Sequence, residues 1–181
     1  MKNQLLIIFV FISLLANGQN LADTIPICKN VISVEIAGSS CDIISIHYDR
    51  ILKKTTNYFY TIDIGMGYMP YLKSNKTNQV FGTSIAIDWN NKLYKKNHIS
   101  GGIGLAYSDG FFQYGFPNEI KNSYKAVYSS LRIGYKFQKT TKGLFIKIMA
   151  TPIFKIYEFT DLPSSAPSIF PLIGIGIGYS F

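Results

Sequence analysis

The sequence predicts an all-β fold, an eight-stranded antiparallel up-and-down barrel. Large apolar or aromatic side chains alternate with glycine or serine from Ile173 to Phe181, and a period of two is that of a β-strand. Seven further segments alternate in the same way, and the residues assigned to their apolar faces, such as Ile44, Ile46 and Tyr48 of the second segment, include no charge. Because the opposite faces hold most of the strand glycines, serines and charges, the apolar faces are expected to point outward into lipid, which makes the barrel transmembrane.

The strands follow one another along the whole chain with turn-forming residues between them. They are predicted at residues 31–37, 42–50, 58–68, 80–89, 98–107, 126–137, 143–152 and 169–181. Most of these segments have about the 9–11 residues that a tilted strand needs to cross a bilayer. A shift of one residue in any strand would move charges into lipid, so the register is strongly specified.

The connections are expected to alternate between short inner turns and longer outer loops. The predicted inner turns, rich in lysine and free of acids, are 52–57, 90–97 and 138–142. The predicted outer loops are 38–41, 69–79, 108–125 and 151–168, of which only the first is short.

Aromatic residues are expected to form a ring at each end of the apolar wall, as in membrane barrels. The inner ring comprises Tyr48, Tyr58, Tyr60, Trp89, Tyr135, Phe137, Tyr179 and Phe181. The outer ring comprises Tyr68, Phe81 and Tyr107.

The amino-terminal segment is typical of an export signal. Lys2 precedes an apolar run from Leu5 to Ala16, and small residues stand at Ala16 and Gly18. The run is too short for a membrane-spanning helix, which needs about 20 apolar residues. We therefore expect a signal peptide over 1–18 and a barrel domain over 19–181.

The formal net charge of +8 bears on the partners of the protein. An excess of basic residues often indicates a nucleic-acid partner, but an exported protein is not expected to bind nucleic acid. The anionic surfaces within reach of an exported barrel are outer-membrane lipid and lipopolysaccharide, which lysines at a membrane surface attract.

Four segments resemble the small eight-stranded outer-membrane β-barrel proteins, in particular those of Bacteroidota. They are Ala16-Asn17-Gly18-Gln19, Asp63-Ile64-Gly65-Met66-Gly67-Tyr68, Gly101-Gly102-Ile103-Gly104-Leu105 and Gly178-Tyr179-Ser180-Phe181. The resemblance implies integral insertion in a bacterial outer membrane, and it is specific for architecture and not for activity. The leading hypothesis is a non-enzymatic protein with a structural role or a role in surface interaction through its outer loops. The resemblance also implies that Tyr179 and Phe181 form the signal read by the outer-membrane assembly machinery.

The predicted lumen face carries a set of charged residues. They are Glu35, His47, Asp49, Asp63, Asp88, Arg132, Lys136 and Lys147. Buried charges must be paired, and an eight-stranded barrel is only wide enough for side chains to fill it. We interpret the set as a structural network of ion pairs; a proton or ion path is the alternative.

Two other functions are open at this point. His98 and Ser100 share one strand face and could act as base and nucleophile, which resembles the His-x-Ser element of outer-membrane lipid A deacylases acting on lipid A or phospholipid. A soluble lipocalin-like carrier is the third hypothesis, but it needs an apolar lumen.

An outer loop rich in aromatic residues is the predicted interaction site. Phe111, Phe112, Tyr114 and Phe116 lie close together in the segment 108–125, and exposed aromatic clusters mark binding surfaces. The extracellular ligand is unknown. The sequence has no metal-ligand spacing and no nucleotide fingerprint, so we expect no metal and no cofactor.

Overall fold

All the regular structure in the described part of the chain is β-strand. The computed structural model describes residues 28–38, 43–73, 76–94, 96–113, 121–139, 141–159 and 169–181. The strands are β1 (Asn30–Ile36), β2 (Ile44–Lys54), β3 (Tyr58–Lys73), β4 (Lys76–Tyr94), β5 (Asn97–Gln113), β6 (Lys121–Gln138), β7 (Gly143–Glu158) and β8 (Ile169–Ser180). The predicted signal peptide, 1–18, lies outside the described residues.

The strands close into one antiparallel barrel in the order β1 to β8, and β8 pairs with β1. This confirms the predicted fold class. We call the end that carries the β2–β3, β4–β5 and β6–β7 turns the base, and the opposite end the rim. The described residues include no helix that is long and apolar enough to cross a membrane.

The strands are staggered by ten residues around the barrel. The row of paired residues that starts at Val31 passes through Asp63 and arrives at β8 at Phe170, whereas Val31 itself pairs with Ser180, ten residues further on. With a rise of about 3.3 Å per residue and strands about 4.8 Å apart, this stagger tilts the strands by roughly 40°. Residues on one row therefore climb toward the rim from β1 to β8.

Side chains alternate between a buried interior and an exposed wall. On β8, Ile173, Ile175 and Ile177 are exposed, while Gly174 and Gly176 are buried. The same alternation runs through the described side chains of the other strands. Most of the large apolar residues are outside and a large set of polar and charged residues is inside, which is the reverse of an ordinary globular core.

Two side chains differ from the predicted wall. Ile62, expected to be exposed, is only 5% exposed; its cross-strand neighbours are Arg50 and Ile87. Arg50 itself is exposed and, by its pairing with Ile62, belongs to the outer face close to the base.

The strands are longer than predicted, mainly at the rim. Much of the predicted outer loop 69–79 is a continuation of β3 and β4, which pair as far as Lys73 and Lys76. The predicted loop 108–125 is likewise wrong in part, because β5 runs to Gln113 and β6 starts at Lys121. β7 extends to Glu158 past a register shift near Tyr157.

Candidate functional site

All eight charged residues predicted to face the lumen lie inside the barrel, and none is more than 3% exposed. Asp63 is their centre. Its Oδ1 lies 2.6 Å from His47 Nδ1, and its Oδ2 accepts hydrogen bonds from Arg132 Nη2 at 2.9 Å and Lys147 Nζ at 3.0 Å. These contacts join strands that are distant in sequence, since Asp63 and Lys147 are 84 residues apart.

A second group of contacts surrounds Asp88. Arg132 Nε lies 3.0 Å from Asp88 Oδ1, and Lys136 Nζ donates to Asp88 Oδ2 at 2.8 Å. Lys136 also reaches Asp49 at 3.4 Å. Arg132 thus bridges Asp63 and Asp88 with different nitrogens, which is the use for which a rigid guanidinium fork is suited.

Glu35 completes the network near the rim side of the cluster. Its Oε2 lies 2.7 Å from Lys147 Nζ and 3.4 Å from His47 Nε2. His47 Nε2 is also 2.9 Å from the hydroxyl of Ser45. The imidazole is therefore held between two carboxylates, Asp63 on one nitrogen and Glu35 on the other.

The network combines nearly equal numbers of opposite charges. Glu35, Asp49, Asp63 and Asp88 supply four carboxylates, and Arg132, Lys136 and Lys147 supply three positive charges. Isolated buried charges are very costly, whereas buried pairs with good geometry are tolerated.

Apolar layers lie on both sides of the network. Toward the rim, Ala106, Ala126, Tyr128 and Ile153 form a buried cluster. Toward the base, Phe59, Phe145 and Val31 are also buried. An interior of this width is filled by side chains, so we interpret the described part of the lumen as a packed plug.

The buried carboxylates could suggest a metal site. Asp49, Asp63 and Asp88 each place an oxygen within 4.8 Å of the others. However, Lys136, Lys147 and Arg132 already contact these oxygens. A metal ion would meet three positive charges there, so the donor set favours ion pairing.

The proposed catalytic pair, His98 and Ser100, does not form a base–nucleophile contact. Both residues are fully buried, and the Ser100 hydroxyl donates to Asn90 Oδ1. The His98 ring packs edge-on against Phe59 at 5.0 Å, and its nitrogens have no hydrogen-bond partner among the described residues. A nucleophile in this setting is closed off from a lipid substrate outside the barrel.

Sequence reasoning missed Asn90, because the predicted fourth strand ends at residue 89, whereas β4 continues to Tyr94. The Asn90 amide donates to Thr61 Oγ1 at 3.1 Å and to the carbonyl oxygens of Phe59 and Asp88. Its place on the inner face follows from continuing the alternation past Trp89. The Asn90 amide joins the polar side chains at the base of the lumen.

The predicted aromatic binding site is only partly described. Phe111 and Phe112 belong to β5, where their backbones pair with Ser123 and Asn122 of β6. Tyr114 and Phe116 lie outside the described residues. The first two residues are thus on a strand and not in a loop, and the role of all four in binding stays a prediction.

The residues assigned to the assembly signal lie on the outer wall at the base. Tyr179 is 54% and Phe181 is 41% exposed. Backbone hydrogen bonds in both directions between Phe181 and Asn30 hold the end of β8 against β1. Both rings therefore face the surroundings of the barrel.

The outer wall also contains an apolar groove of about 460 Å³. It is lined by residues of β3 to β7 that form two paired rows, one with Ile87, Ile103 and Leu131 and the other with Leu105, Ser129 and Phe154. Ala86, Gly104 and Ser130 lie between these rows. The wall is thus apolar even where it is indented.

Comparisons with protein-family models, with curated proteins and with solved structures find no match to this chain.

Proposed function

We propose that the protein is an integral, non-enzymatic β-barrel of a bacterial outer membrane. In this proposal the barrel is a rigid anchor, closed inside by the ion-pair network, that serves envelope structure or presents the rim for interaction. The resemblance to barrels of Bacteroidota, carried by short sequence segments, belongs to the proposal.

The proposal rests mainly on one observation: large apolar side chains cover the outside of the barrel, and charged side chains are buried inside it. Ile103, Ile133 and Ile173 are each more than 60% exposed on the wall, whereas the charges are inside. Monomeric soluble proteins rarely expose contiguous apolar patches of more than a few hundred square ångströms. A surface that is apolar around the whole barrel fits lipid.

The height of the apolar wall supports the same proposal. On β5, eight residues separate Ile99 from Tyr107, which at a tilt of about 40° and a rise of about 3.3 Å corresponds to roughly 20 Å along the barrel axis. Aromatic residues flank the wall, with Tyr60 and Trp89 toward the base and Tyr68 and Phe81 toward the rim. Membrane barrels have an apolar band about 25 Å tall between two aromatic girdles.

The lipid-hydrolase hypothesis receives no such support. Ser100 faces the lumen and is hydrogen-bonded to Asn90, so neither access nor activation is provided for a lipid substrate. The carrier hypothesis conflicts with a charged lumen, since an apolar ligand needs an apolar cavity.

Fractionation and heat modifiability test the proposal. The protein is expressed with its complete amino-terminal segment, membranes are extracted with urea, and the pellet is run on SDS gels with and without boiling. We expect the chain in the urea-resistant pellet and a faster band before boiling, because a folded barrel resists SDS. A protein that is recovered in the soluble fraction without detergent contradicts the proposal.

A further inference from the structure

The two ends of the barrel differ in charge. Around the base lie eight basic residues, which we call the basic collar: Lys29, Arg50, Lys53, Lys54, Lys92, Lys96, Lys139 and Lys142. Among the described residues, the acidic side chains nearest to the base, Asp49 and Asp88, are buried and face the lumen. The base therefore presents positive charge to its surroundings.

The rim has no comparable excess in the part that the structure describes. Asp109 and Lys125 form an ion pair of 3.6 Å, and Lys155 and Glu158 form one of 2.8 Å. These two acids offset two of the five described rim lysines, the others being Lys73, Lys76 and Lys121, so the rim has a smaller positive excess than the base. The collar is a property of one end and not of the whole surface.

The collar follows directly below the ring of aromatic residues. Lys53 pairs with Tyr60, and Tyr60 pairs on its other side with Trp89. Lys92 lies three residues beyond Trp89 on β4, toward the base, on the lumen-side face where it pairs with His98. Each of the three turns at this end has two basic residues in or beside it, so positive charge is present at every turn of the base.

We propose that the basic collar binds the phosphate groups of anionic phospholipids in the leaflet that surrounds the base. The inference rests on the proposed membrane insertion. Tyrosine and tryptophan rings of membrane proteins lie at the level of the lipid headgroups, which places the collar beside the phosphates. Lysine is suited to this role because its flexible stem lies along apolar surface while its ammonium group reaches the polar layer.

The expected strength follows from the number of lysines in reach of one lipid. A lysine near an anionic membrane surface contributes about 1 kcal/mol, which is about a fivefold change in binding. The attraction falls with ionic strength, because the screening length shrinks from about 10 Å at 0.1 M salt to about 3 Å at 1 M.

The chain contains its own probe of this layer. Trp89 is the single tryptophan of the sequence, it is 42% exposed on the outer wall, and it lies next to the collar. Its fluorescence is measured after reconstitution into phosphatidylcholine vesicles that contain a fixed fraction of brominated lipid, either phosphatidylglycerol or phosphatidylcholine. Contact with a brominated chain quenches the fluorescence, so the ratio of the two quenching curves gives the preference for anionic lipid.

We expect a preference for phosphatidylglycerol at Trp89 of about fivefold or more at low salt. The variant Arg50→Gln/Lys53→Gln/Lys96→Gln, which removes three collar charges near Trp89, should bring the preference close to one. The matched control Lys76→Gln/Lys121→Gln/Lys125→Gln removes the same charge from strand positions toward the rim, and it should keep the preference of the wild type.

Equal quenching by both lipids in the wild type, or a preference that the collar variant retains, overturns the inference while leaving membrane insertion intact. Absence of quenching by either brominated lipid has a different meaning. It shows that Trp89 does not face lipid, and then the proposed function itself fails.

Discussion

Placing a charge in the middle of the outer wall separates a membrane barrel from a soluble one. Ile103 lies midway between Ile99 and Tyr107 on β5, faces outward and is 66% exposed. In water, replacing such an exposed side chain by lysine changes stability by no more than about 0.5 kcal/mol. In a bilayer the same lysine lies near the midplane, where it costs about 2–4 kcal/mol.

A matched variant at the base provides the control. Leu93 is 55% exposed at the lower end of β4, beside Lys92, where a lysine in a membrane barrel costs only about 0–1 kcal/mol. Ile103→Lys is therefore expected to cost at least about 1 kcal/mol more than Leu93→Lys and to reduce the ratio of folded to unfolded protein at least about fivefold more, since about 1.4 kcal/mol corresponds to a factor of ten. Both substitutions add one positive charge to the same barrel.

Reversible urea unfolding in phosphatidylcholine vesicles measures the difference, with the fluorescence of Trp89 as the signal. The two variants are compared with the wild type at equal lipid and salt. Equal free energies of unfolding for Ile103→Lys and Leu93→Lys would refute the reasoning, because the expected difference arises only from the different depths of the two lysines in the bilayer.

Three further predictions use the same barrel. Gly102→Ala should destabilise the barrel by about 1–3 kcal/mol, because the added Cβ would lie 2.5 Å from a backbone carbonyl oxygen of β4. The control Gly101→Ala should be neutral in the same urea titration, because its Cβ would have no neighbouring atom closer than 3.9 Å. Lys147→Met should lower the free energy of unfolding by about 3–5 kcal/mol, because it removes the ammonium group that lies 2.7 Å and 3.0 Å from two buried carboxylates. The control Lys125→Met, at an exposed position, should change this free energy by no more than about 1 kcal/mol. Similar values for both variants would show that the buried ion pairs do not stabilise the barrel. Ser100→Ala should leave lipid A acylation unchanged by mass spectrometry, and a loss of deacylation would restore the enzyme hypothesis.

The rim shows where reading the sequence for strands fails. The segments 69–73, 76–79, 108–113 and 121–125 belong to strands but were predicted as loops. Alternation reveals a strand only when its two faces meet different surroundings. A strand that extends past an apolar wall with water on both sides has no such contrast, so its sequence does not differ from that of a loop.

Eight strands, their order and the faces of most side chains in the predicted strands could be derived from the sequence alone, with Ile62 and Arg50 as exceptions. These follow from local alternation, because neighbouring residues of a strand point to opposite sides. The eight lumen charges could be selected in this way without knowledge of the fold.

The contacts among these charges depend on how the barrel closes. The ten-residue stagger brings Lys147 of β7 to Asp63 of β3 and to Glu35 of β1, and it places Arg132 between Asp63 and Asp88. Stagger is a property of the closed sheet and leaves the period-two pattern of each strand unchanged. The partners of a buried charge therefore depend on how the barrel closes, whereas its burial is already determined by its own strand.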